Sequence, residues 1–525
     1  MQALKTFWKE LILLMNRNIL NLDNIAIAYM LWYVICVMRS VQIGIGRMVL
    51  LDIAIMTCAF ILARAIRNKS WILSGLMTAG TLQSIYVILQ ICGAVGSNHE
   101  LFEITGFLGN PGQLGGFQAV AFVSALTLYA QRRSRRWKTL ISASAALIFF
   151  SLILSDSRAG FVAAIVGAII LTYKSWLANI KSIGWFYPVA LCLFCLSVWF
   201  FYLYRPESVN ARLFIWRACA EMFMDKPILG FGIGGFNMNY MLYQGEYISL
   251  YNDMDFSTIA DNVSYPYNEF IHILIEQGII GFALFVLMIA IGIWECRDNH
   301  RQCAPLIALL VFSTFSYPSY KLALRIMLPL LLGILPTRAF MPSLWMRKAT
   351  TVVSTITVTL CITAISYSRH RFHNLLSDNF NHKETARTSE CIENFFIHNY
   401  SDLKINAQYV AFAKERPEIL NDSTIPRIFP SSDSWCTIGR HYLLLHKYEK
   451  AQKYFSQAAN MVPGLMQPKY LLWQTYIHQG KEYEAKEIAD TILRMKVKVE
   501  NTYTLRIRNE VINYNYANQH NIYQP

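Results

Sequence analysis

Residues 265–293 read YPYNEFIHILIEQGIIGFALFVLMIAIGI, and this stretch decides the fold class of the chain. A polar, aromatic entry leads into an apolar run that carries no charged residue from Ile279 onward. A helix of about 20 mainly apolar residues crosses the hydrocarbon core of a bilayer, where only helices and closed barrels satisfy their backbone groups. The stretch therefore predicts a membrane-spanning helix whose first turns carry Glu269, His272 and Glu276.

Apolar runs of similar length recur through the first two-thirds of the chain. Of its 525 residues, 54% are hydrophobic and 15% are charged, and the mean hydropathy is +0.32. This composition is typical of polytopic membrane proteins rather than of large soluble enzymes. We predict an all-α protein with about eleven transmembrane helices. They lie near residues 24–38, 48–65, 71–94, 114–130, 138–154, 159–174, 184–203, 269–293, 304–316, 322–336 and 350–367.

The short loops between these spans alternate in charge. Basic loops belong in the cytoplasm by the positive-inside rule, and the loops between them are acidic or neutral. This distribution argues against a nucleic-acid interface as the reason for the net charge of +14, because the cations do not share one soluble face. The basic loops are residues 64–69, 131–138, 174–181, 295–301 and 338–348; the loop at 39–47, with two arginines on the outer side, breaks the pattern.

The alternation predicts the domain organisation and the orientation of the chain. Residues 1–23 form a cytoplasmic segment, and residues 24–368 form the membrane domain with a long outward loop at 205–268. An odd number of spans from an inside N-terminus leaves residues 369–525 outside. We therefore expect the polar loop and the C-terminal region on the same side of the membrane.

The C-terminal region contains an internal repeat. Tyr442 and Ala451 return as Tyr476 and Ala485, at the 34-residue period of tetratricopeptide repeats. Small and aromatic residues at such positions let antiparallel helix pairs pack and stack. We predict these repeats at about 432–499, with unrelated amphipathic helices as the alternative, and a degenerate helical unit at about 384–418. The first repeat rests on Trp435, Ile438, Gly439, Tyr442, Tyr448, Ala451, Phe455, Ala458 and Pro463.

The long outward loop carries two arginines in NARLFIWRACAEMFMDKPILGFGIGGF, residues 210–236. Arg212 and Arg217 stand five residues apart, about 140° around a helix, so they do not share a face. Apolar neighbours such as Phe214, Ala218 and Met222 predict that this helix lies against the membrane surface. A guanidinium there matches the oxygens of a lipid diphosphate, and interfacial snorkelling is the alternative.

Glycines follow this helix. Gly230, Gly232 and Gly235 match G-x-G-x-x-G, but the dinucleotide fingerprint needs a preceding strand, whereas a helix comes before this turn. We interpret the turn as backbone that closely approaches a ligand, with Pro227 ending the helix. No zinc spacing of Cys and His is present, and the outward loops lack a carboxylate cluster suited to Mg²⁺, so no cofactor is expected.

Polar residues at the ends of other spans are further candidates. Arg158 in SDSRAG is either a functional cation or an end-of-span anchor. Asn110 is placed to hydrogen-bond a sugar or to form a plain Asn-Pro-Gly turn. Lys321 and Arg325 add positive charge one helical turn apart. Glycosyl transfer to an alcohol needs a base, which Glu269 or His272 would supply, although a histidine satisfied within the helix bundle is the alternative.

These motifs together resemble the superfamily of O-antigen ligases, O-antigen polymerases and protein O-oligosaccharyltransferases. The resemblance rests on SDSRAG, RLFIW, DKPILGFGIGGF and PYNEFIHILIEQGIIG, and with the span layout it covers residues of about 20–340. It implies transfer of a glycan from an undecaprenyl diphosphate carrier, without a metal, at the periplasmic face of the bacterial inner membrane. The C-terminal repeats resemble an attachment that recurs in Bacteroidetes members.

The resemblance also assigns roles. Arg212 falls on the arginine that holds the carrier's pyrophosphate, Arg158 on the arginine after the Ser-rich span end, and Asn268 on the Asn of a His-Asn pair. Tyr267 stands where that histidine is expected. A phenol, with a pKa near about 10, is a poor base at neutral pH. Tyr267 therefore orients the acceptor while another group is the base, or the acceptor class differs, or the chain is an inactive relative.

We expect the acceptor to be lipid A core, a protein Ser or Thr, or another hydroxyl. Repeat-unit polymerisation is the alternative within the family. A transporter or flippase of lipid-linked glycans is the alternative from another class, but it favours ionisable residues at mid-membrane in paired halves, and no inverted repeat is evident. The repeat region presents a protein acceptor, recruits a partner or caps the structure. A non-catalytic scaffold that uses the repeat domain is a further alternative.

Overall fold

A computed structural model of the chain describes residues 21–40, 47–97, 99, 102–179, 206–251, 254–336, 344–381, 392, 395, 396, 403–415, 429–497 and 500–521. Twenty α-helices and three short 3₁₀-helices make up these ranges, which contain no strand. The predicted all-α class is therefore confirmed. The predicted N-terminal segment lies almost entirely outside the described residues.

The chain divides into two compact units. The first comprises Met1–Met38, Val49–Ser197 and Tyr267–Ile365, and the second comprises Arg39–Met48, Val198–Pro266 and Ser366–Pro525. The helices of the first unit are α1 (Leu22–Arg39), α2 (Arg47–Ala65), α3 (Ser70–Ile91), α4 (Pro111–Gln131), α5 (Arg135–Leu154), α6 (Arg158–Asn179), α10 (Glu269–Glu295), α11 (Ala304–Ser313), α12 (Leu322–Arg325), α13 (Met327–Ile334) and α14 (Leu344–Asn381), the last continuing into the second unit.

The second unit contains the rest. Its helices are α7 (Pro206–Asp225), α8 (Gly235–Tyr251), α9 (Met254–Ile259), α15 (Leu403–Glu415), α16 (Ser432–Leu444), α17 (Tyr448–Met461), α18 (Met466–His478), α19 (Glu482–Arg494) and α20 (Thr502–Asn521). Helices α7–α9, which lie in the long loop of residues 205–268, therefore belong to the same unit as the C-terminal helices. The sequence did not predict this association.

Seven helices in the part described are long and apolar enough to cross a membrane: α1–α5, α10 and α14. Shorter apolar helices occupy Arg158–Thr172, Ala304–Ser313 and Leu322–Ile334. Ten predicted spans coincide with these helices, while the span at 184–203 falls outside the described residues. The total of eleven stays a prediction.

Helix α4 is the central helix of the first unit. In its 18-residue apolar stretch 78% of the residues are buried, compared with 17–50% in the corresponding stretches of the other candidate spans. Glycines allow close approach: a Cβ on Gly116 would lie 2.2 Å from the Phe312 ring, and one on Gly160 would lie 2.6 Å from the backbone of Gly115. Small residues at helix interfaces are how membrane helices gain van der Waals contact.

A kink interrupts α10. Gly278 has φ 66° and ψ −171°, outside the helical region, which leaves the preceding carbonyl without its helical partner. The indole of Trp32 donates to Gln277 O at 3.2 Å, and the Gln277 amide donates to Tyr29 Oη at 3.1 Å. Helix α1 thus satisfies the backbone at the break, as irregular backbone among membrane helices requires. The sequence prediction treated this stretch as one regular helix.

The C-terminal helices form consecutive pairs. Helix α16 begins at Ser432 and α18 begins 34 residues later, at Met466. In the same way, α17 begins at Tyr448 and α19 begins 34 residues later, at Glu482. Gly439 faces the Phe455 ring, where a Cβ would lie only 2.4 Å away. The helix starts thus have the period predicted from sequence, while the assignment to tetratricopeptide repeats stays a prediction.

Candidate active site

The entry to α10 has a strained backbone. Tyr267 adopts φ 54°, the left-handed region that bulky residues rarely occupy. Asn268 is the N-cap: its Oδ1 accepts from Phe270 N at 2.9 Å and Ile271 N at 3.1 Å. The Tyr267 ring packs edge-on against Tyr317, with ring centroids 5.3 Å apart. Helix capping therefore gives a second reason for an asparagine at position 268, besides the catalytic role that the resemblance implies.

His272 lies between two carboxylates on the first turns of α10. Its Nδ1 is 3.5 Å from Glu269 Oε1, and its Nε2 is 3.3 Å from Glu276 Oε1. The spacing of three and four residues places all three side chains on one helix face. Each side chain is 14% exposed or less. This buried acidic–imidazole cluster can hold or move a proton.

A loop between α11 and α12 completes the cluster. Ser319 donates to Glu269 Oε2 through its hydroxyl at 2.9 Å and its backbone N–H at 3.3 Å. Tyr320 Oη is 3.3 Å from His272 Nε2. The sequence did not indicate either residue, because no local spacing links this loop to α10.

Two further cations were predicted here. Lys321 is the N-cap residue of α12, and Arg325 ends that helix. Arg325 forms an ion pair with Asp52 of α2, and its Nε donates to Ser319 O. The structure therefore links Arg325 through Ser319 to the Glu269 cluster and pairs it with a carboxylate that the sequence did not identify. Substrate binding by Lys321 and Arg325 stays a prediction.

The start of α4 approaches the same loop. Asn110 caps α4, its Oδ1 accepting from Gln113 N at 3.2 Å, so the turn predicted as the alternative is present. Gln113 donates to Ser316 Oγ at 3.3 Å, and its own Oε1 is buried without a partner in the described structure. Ser157 donates to Gly112 O at 3.2 Å, which sets Arg158, the first residue of α6, close to this helix start.

The predicted arginine pair lies in the second unit, on α7. Arg212 is half-buried and Arg217 exposed, in agreement with their different faces. Phe214, Ala218 and Met222 are at most 1% exposed and face the interior of this unit. The prediction that these residues rest on the membrane surface was therefore wrong, because the outer loop folds into its own helices α8 and α9, against which α7 packs.

The glycine turn follows α7, which ends at Asp225 just before Pro227. Gly230, Gly232 and Gly234 have φ values of 65°, 88° and 82°, so Gly234, unnamed in the sequence motif, carries a left-handed turn position. Beside the turn, Tyr243 donates to Asp225 Oδ2; burial and this bond raise the pKa of the phenol well above its ordinary value. Tyr243 therefore stays protonated at neutral pH.

Comparisons with known proteins add the family. Residues 143–286 match the family model described as O-antigen ligase. Over these residues the chain is similar to O-antigen ligases. The matched segment contains Arg158, α7, the glycine turn and the start of α10, but neither Asn110 nor the loop before α12.

Curated relatives agree with this O-antigen ligase assignment. Proteins of Rickettsia conorii, Rickettsia felis and Rickettsia typhi that carry the name "Putative polysaccharide ligase" are 27%, 28% and 28% identical over 157, 157 and 163 residues. Each alignment covers 27% of this chain and 36% of the relative, so the chain spans about a third of the length of the relatives it matches. No solved structure matches the chain.

Proposed function

We propose that this protein transfers a glycan from an undecaprenyl diphosphate carrier to a hydroxyl acceptor. The observation that carries the proposal is the buried Glu269–His272–Glu276 cluster, which lies within the O-antigen ligase match and next to the strained Tyr267–Asn268 turn. Strained backbone held by its surroundings is concentrated at functional sites. The names of the polysaccharide ligase relatives favour ligation over repeat-unit polymerisation.

Glu269 is the proposed general base. An ionised carboxylate only accepts hydrogen bonds. Ser319 donates its hydroxyl to Glu269, and a ring nitrogen of His272 faces the other carboxylate oxygen. The acceptor hydroxyl gives its proton to Glu269 as its oxygen attacks the anomeric carbon. The bond from that carbon to the carrier's phosphate oxygen breaks, and undecaprenyl diphosphate leaves with the electron pair. His272 orients the carboxylate, and Tyr267 lines the acceptor side.

Arginines stabilise the leaving diphosphate in this proposal. Its negative charge grows as the sugar bond breaks, so a fixed guanidinium stabilises the transition state more than the ground state. Arg212, half-buried on α7, is the principal candidate, with Arg217 and Arg158 as further phosphate ligands. Direct displacement inverts the anomeric centre, as the resemblance implies.

The proposal is tested by reconstitution. Purified protein in vesicles receives an undecaprenyl diphosphate glycan and separate acceptors: lipid A core, a Ser/Thr peptide and a growing glycan. Wild type is expected to release undecaprenyl diphosphate with one acceptor, and Arg212→Ala to release at least about a hundredfold less. Arg136→Ala, at an exposed arginine of α5, is the matched control and should retain the wild-type rate. Movement of the glycan lipid between leaflets without any release would reject the transferase and support the transporter.

We infer that the chemistry takes place at the periplasmic face of the bacterial inner membrane, with the N-terminus in the cytoplasm. The basic loops support this orientation. Protease added to the periplasmic side of intact spheroplasts should cleave the C-terminal helices α16–α19. Cleavage only after lysis would reverse the orientation and contradict the site's placement.

A further inference from the structure

Helix α8 of the outer loop is joined to the C-terminal helix pair α16–α17 within the second unit. Gln244 is fully buried, and its Nε2 donates to Met461 O at 2.7 Å and to Asp261 O at 3.0 Å. Its Oε1 accepts from Tyr240 at 2.9 Å. One side chain thus connects α8, the segment after α9 and the last turn of α17. The junction has fixed geometry because both polar atoms of this amide are hydrogen-bonded, through three bonds in all.

A second tie lies nearby. Asn262 Oδ1 accepts from Ser432 N, the first residue of α16, at 3.0 Å. Gly245 lets α8 approach α17, since a Cβ there would lie 3.4 Å from Met461 Cα. These contacts hold two chain segments side by side that are far apart in sequence.

An open groove of about 130 Å³ lies at this junction. A cavity needs at least about 10–15 Å³ of such space to hold one water, so the groove admits a group several waters in size, such as a sugar ring. Its walls come from the outer loop and from the approach to α16. The lining side chains that matter here are Asn237, Met241, Asn262, Ser264, Phe429 and Asp433.

Asn237 supplies an unmet hydrogen-bond acceptor. Its Oδ1 is shielded from solvent and has no partner in the described part of the protein. Such groups are rare in folded proteins and point to a missing partner. Asn237 itself lines the groove. Asp433 adds a carboxylate, which is 42% exposed and 3.4 Å from Lys414 Nζ.

We propose that this groove binds a sugar ring of one of the two substrates. A hydroxyl donates to acceptors such as Asn237 and Asp433 and accepts from amides and hydroxyls such as those of Asn262 and Ser264. Phe429 and Met241 offer apolar surface to the C–H face of the ring. An extended peptide needs a longer groove with backbone partners. The inference rests on the proposed function and assigns a saccharide subsite to it.

Binding is measured with the full-length protein in nanodiscs by saturation-transfer difference NMR and titration calorimetry. The donor probe is the oligosaccharide freed by mild acid from the organism's lipid-linked glycan, and the acceptor probe is its delipidated core oligosaccharide. We expect one of them to bind, which identifies the source of the ring. Asn237→Leu, which removes the acceptor and opposes a hydroxyl with an apolar group, should weaken binding about tenfold.

Asn239→Leu is the matched control. It lies on the same helix outside the groove, donates to Gly235 O at 2.7 Å, and should leave saccharide binding unchanged. Asp433→Ala, at a half-exposed position that tolerates change, should weaken binding as Asn237→Leu does. Equal losses in Asn239→Leu, no binding of either saccharide, or binding of a Ser/Thr peptide alone would overturn the proposal.

Failure of the saccharide subsite can be distinguished from failure of the proposed glycan transfer. Arg212→Ala should abolish transfer yet leave saccharide binding intact, and Asn237→Leu should raise the KM of one substrate while kcat is retained. If wild type binds the saccharide through Asn237 but never releases undecaprenyl diphosphate, the transfer proposal fails and the subsite stands.

Discussion

At the scale of single residues, backbone strain falls beside the candidate site. Among the residues described, three non-glycine positions have positive φ: Asp156, Tyr267 and His446. Asp156 lies two residues before Arg158, and Tyr267 lies directly before Asn268. A left-handed conformation costs a non-glycine residue about 1–2 kcal/mol, so the surrounding packing must hold these turns. Tyr267 is therefore a positioned residue, although its phenol is a weak base.

Two conservative substitutions distinguish the proposed roles of Glu269 and Tyr267. Glu269→Gln keeps the shape of the side chain but removes the basic oxygen, so kcat should fall about 10²–10⁴-fold. Tyr267→Phe keeps the ring contact with Tyr317 and should retain most of the wild-type rate. Both rates come from release of undecaprenyl diphosphate. The reverse result, with Tyr267→Phe inactive and Glu269→Gln active, would assign the base to the phenol.

At the scale of the elements, α10 shows how a helix break is built into a membrane unit. Gly278 makes the break, and Trp32 and Tyr29 of α1 satisfy the groups around it. The first turns of α10 carry the polar Glu269 cluster. The rest of the helix is apolar, and α10 as a whole is long and apolar enough to cross a membrane. The break thus lets one helix serve both the site and the bilayer.

Gly278→Ala should destabilise the protein by about 1–3 kcal/mol, because φ 66° with ψ −171° is a backbone conformation that essentially only glycine adopts. Gly75→Ala is the matched control: it lies inside α3, and a Cβ there meets nothing within 4 Å. Helix propensity predicts that this change is neutral or stabilising by up to about 1 kcal/mol. Thermal unfolding in detergent measures both. A loss of stability in Gly75→Ala equal to that in Gly278→Ala would refute the assigned role of the kink.

At the scale of the whole molecule, the two compact units have different tasks. The first holds the spans and the Glu269 cluster. The second joins the arginine-bearing helix α7, through α8, to the C-terminal helix pairs. Phe214 of α7 packs with Ile248 of α8 and Ala260, while Gln244 on the same α8 bonds to Met461. The C-terminal helices therefore support the proposed diphosphate-binding loop.

Gln244→Leu should destabilise the packing of α7–α8 against α16–α17. The substitution removes the donor to the buried Met461 carbonyl, at about 1–3 kcal/mol, and the donor to the less buried Asp261 carbonyl. Hydrogen exchange should accelerate in α7–α8 and in α16–α17 together, whereas helices of the first unit keep their protection. Ser249→Ala, which removes an exposed local bond on the same helix, should change neither. Faster exchange confined to α8 alone would show that the two parts are not coupled.

Features that depend on neighbouring residues could be predicted from the sequence, whereas contacts between distant segments could not. Apolar runs and helical spacing act between neighbouring residues, so the spans, the 34-residue period and the placement of Glu269 and His272 at a span entry could be read locally. Arg325 was located beside the cluster, but its partner Asp52 was not, because no local pattern links α12 to α2. The face of α7 was misassigned since burial inside a unit and burial at a membrane leave the same apolar pattern.

The sequence by itself determined an all-α membrane protein that resembles O-antigen ligases, because hydropathy and short motifs suffice for both. Only the tertiary structure decided which side chains meet: Ser319 with Glu269, Asp52 with Arg325, and Gln244 with Met461. Each of these contacts joins segments distant in the chain. Their geometry depends on how helices pack, which no single stretch of residues encodes.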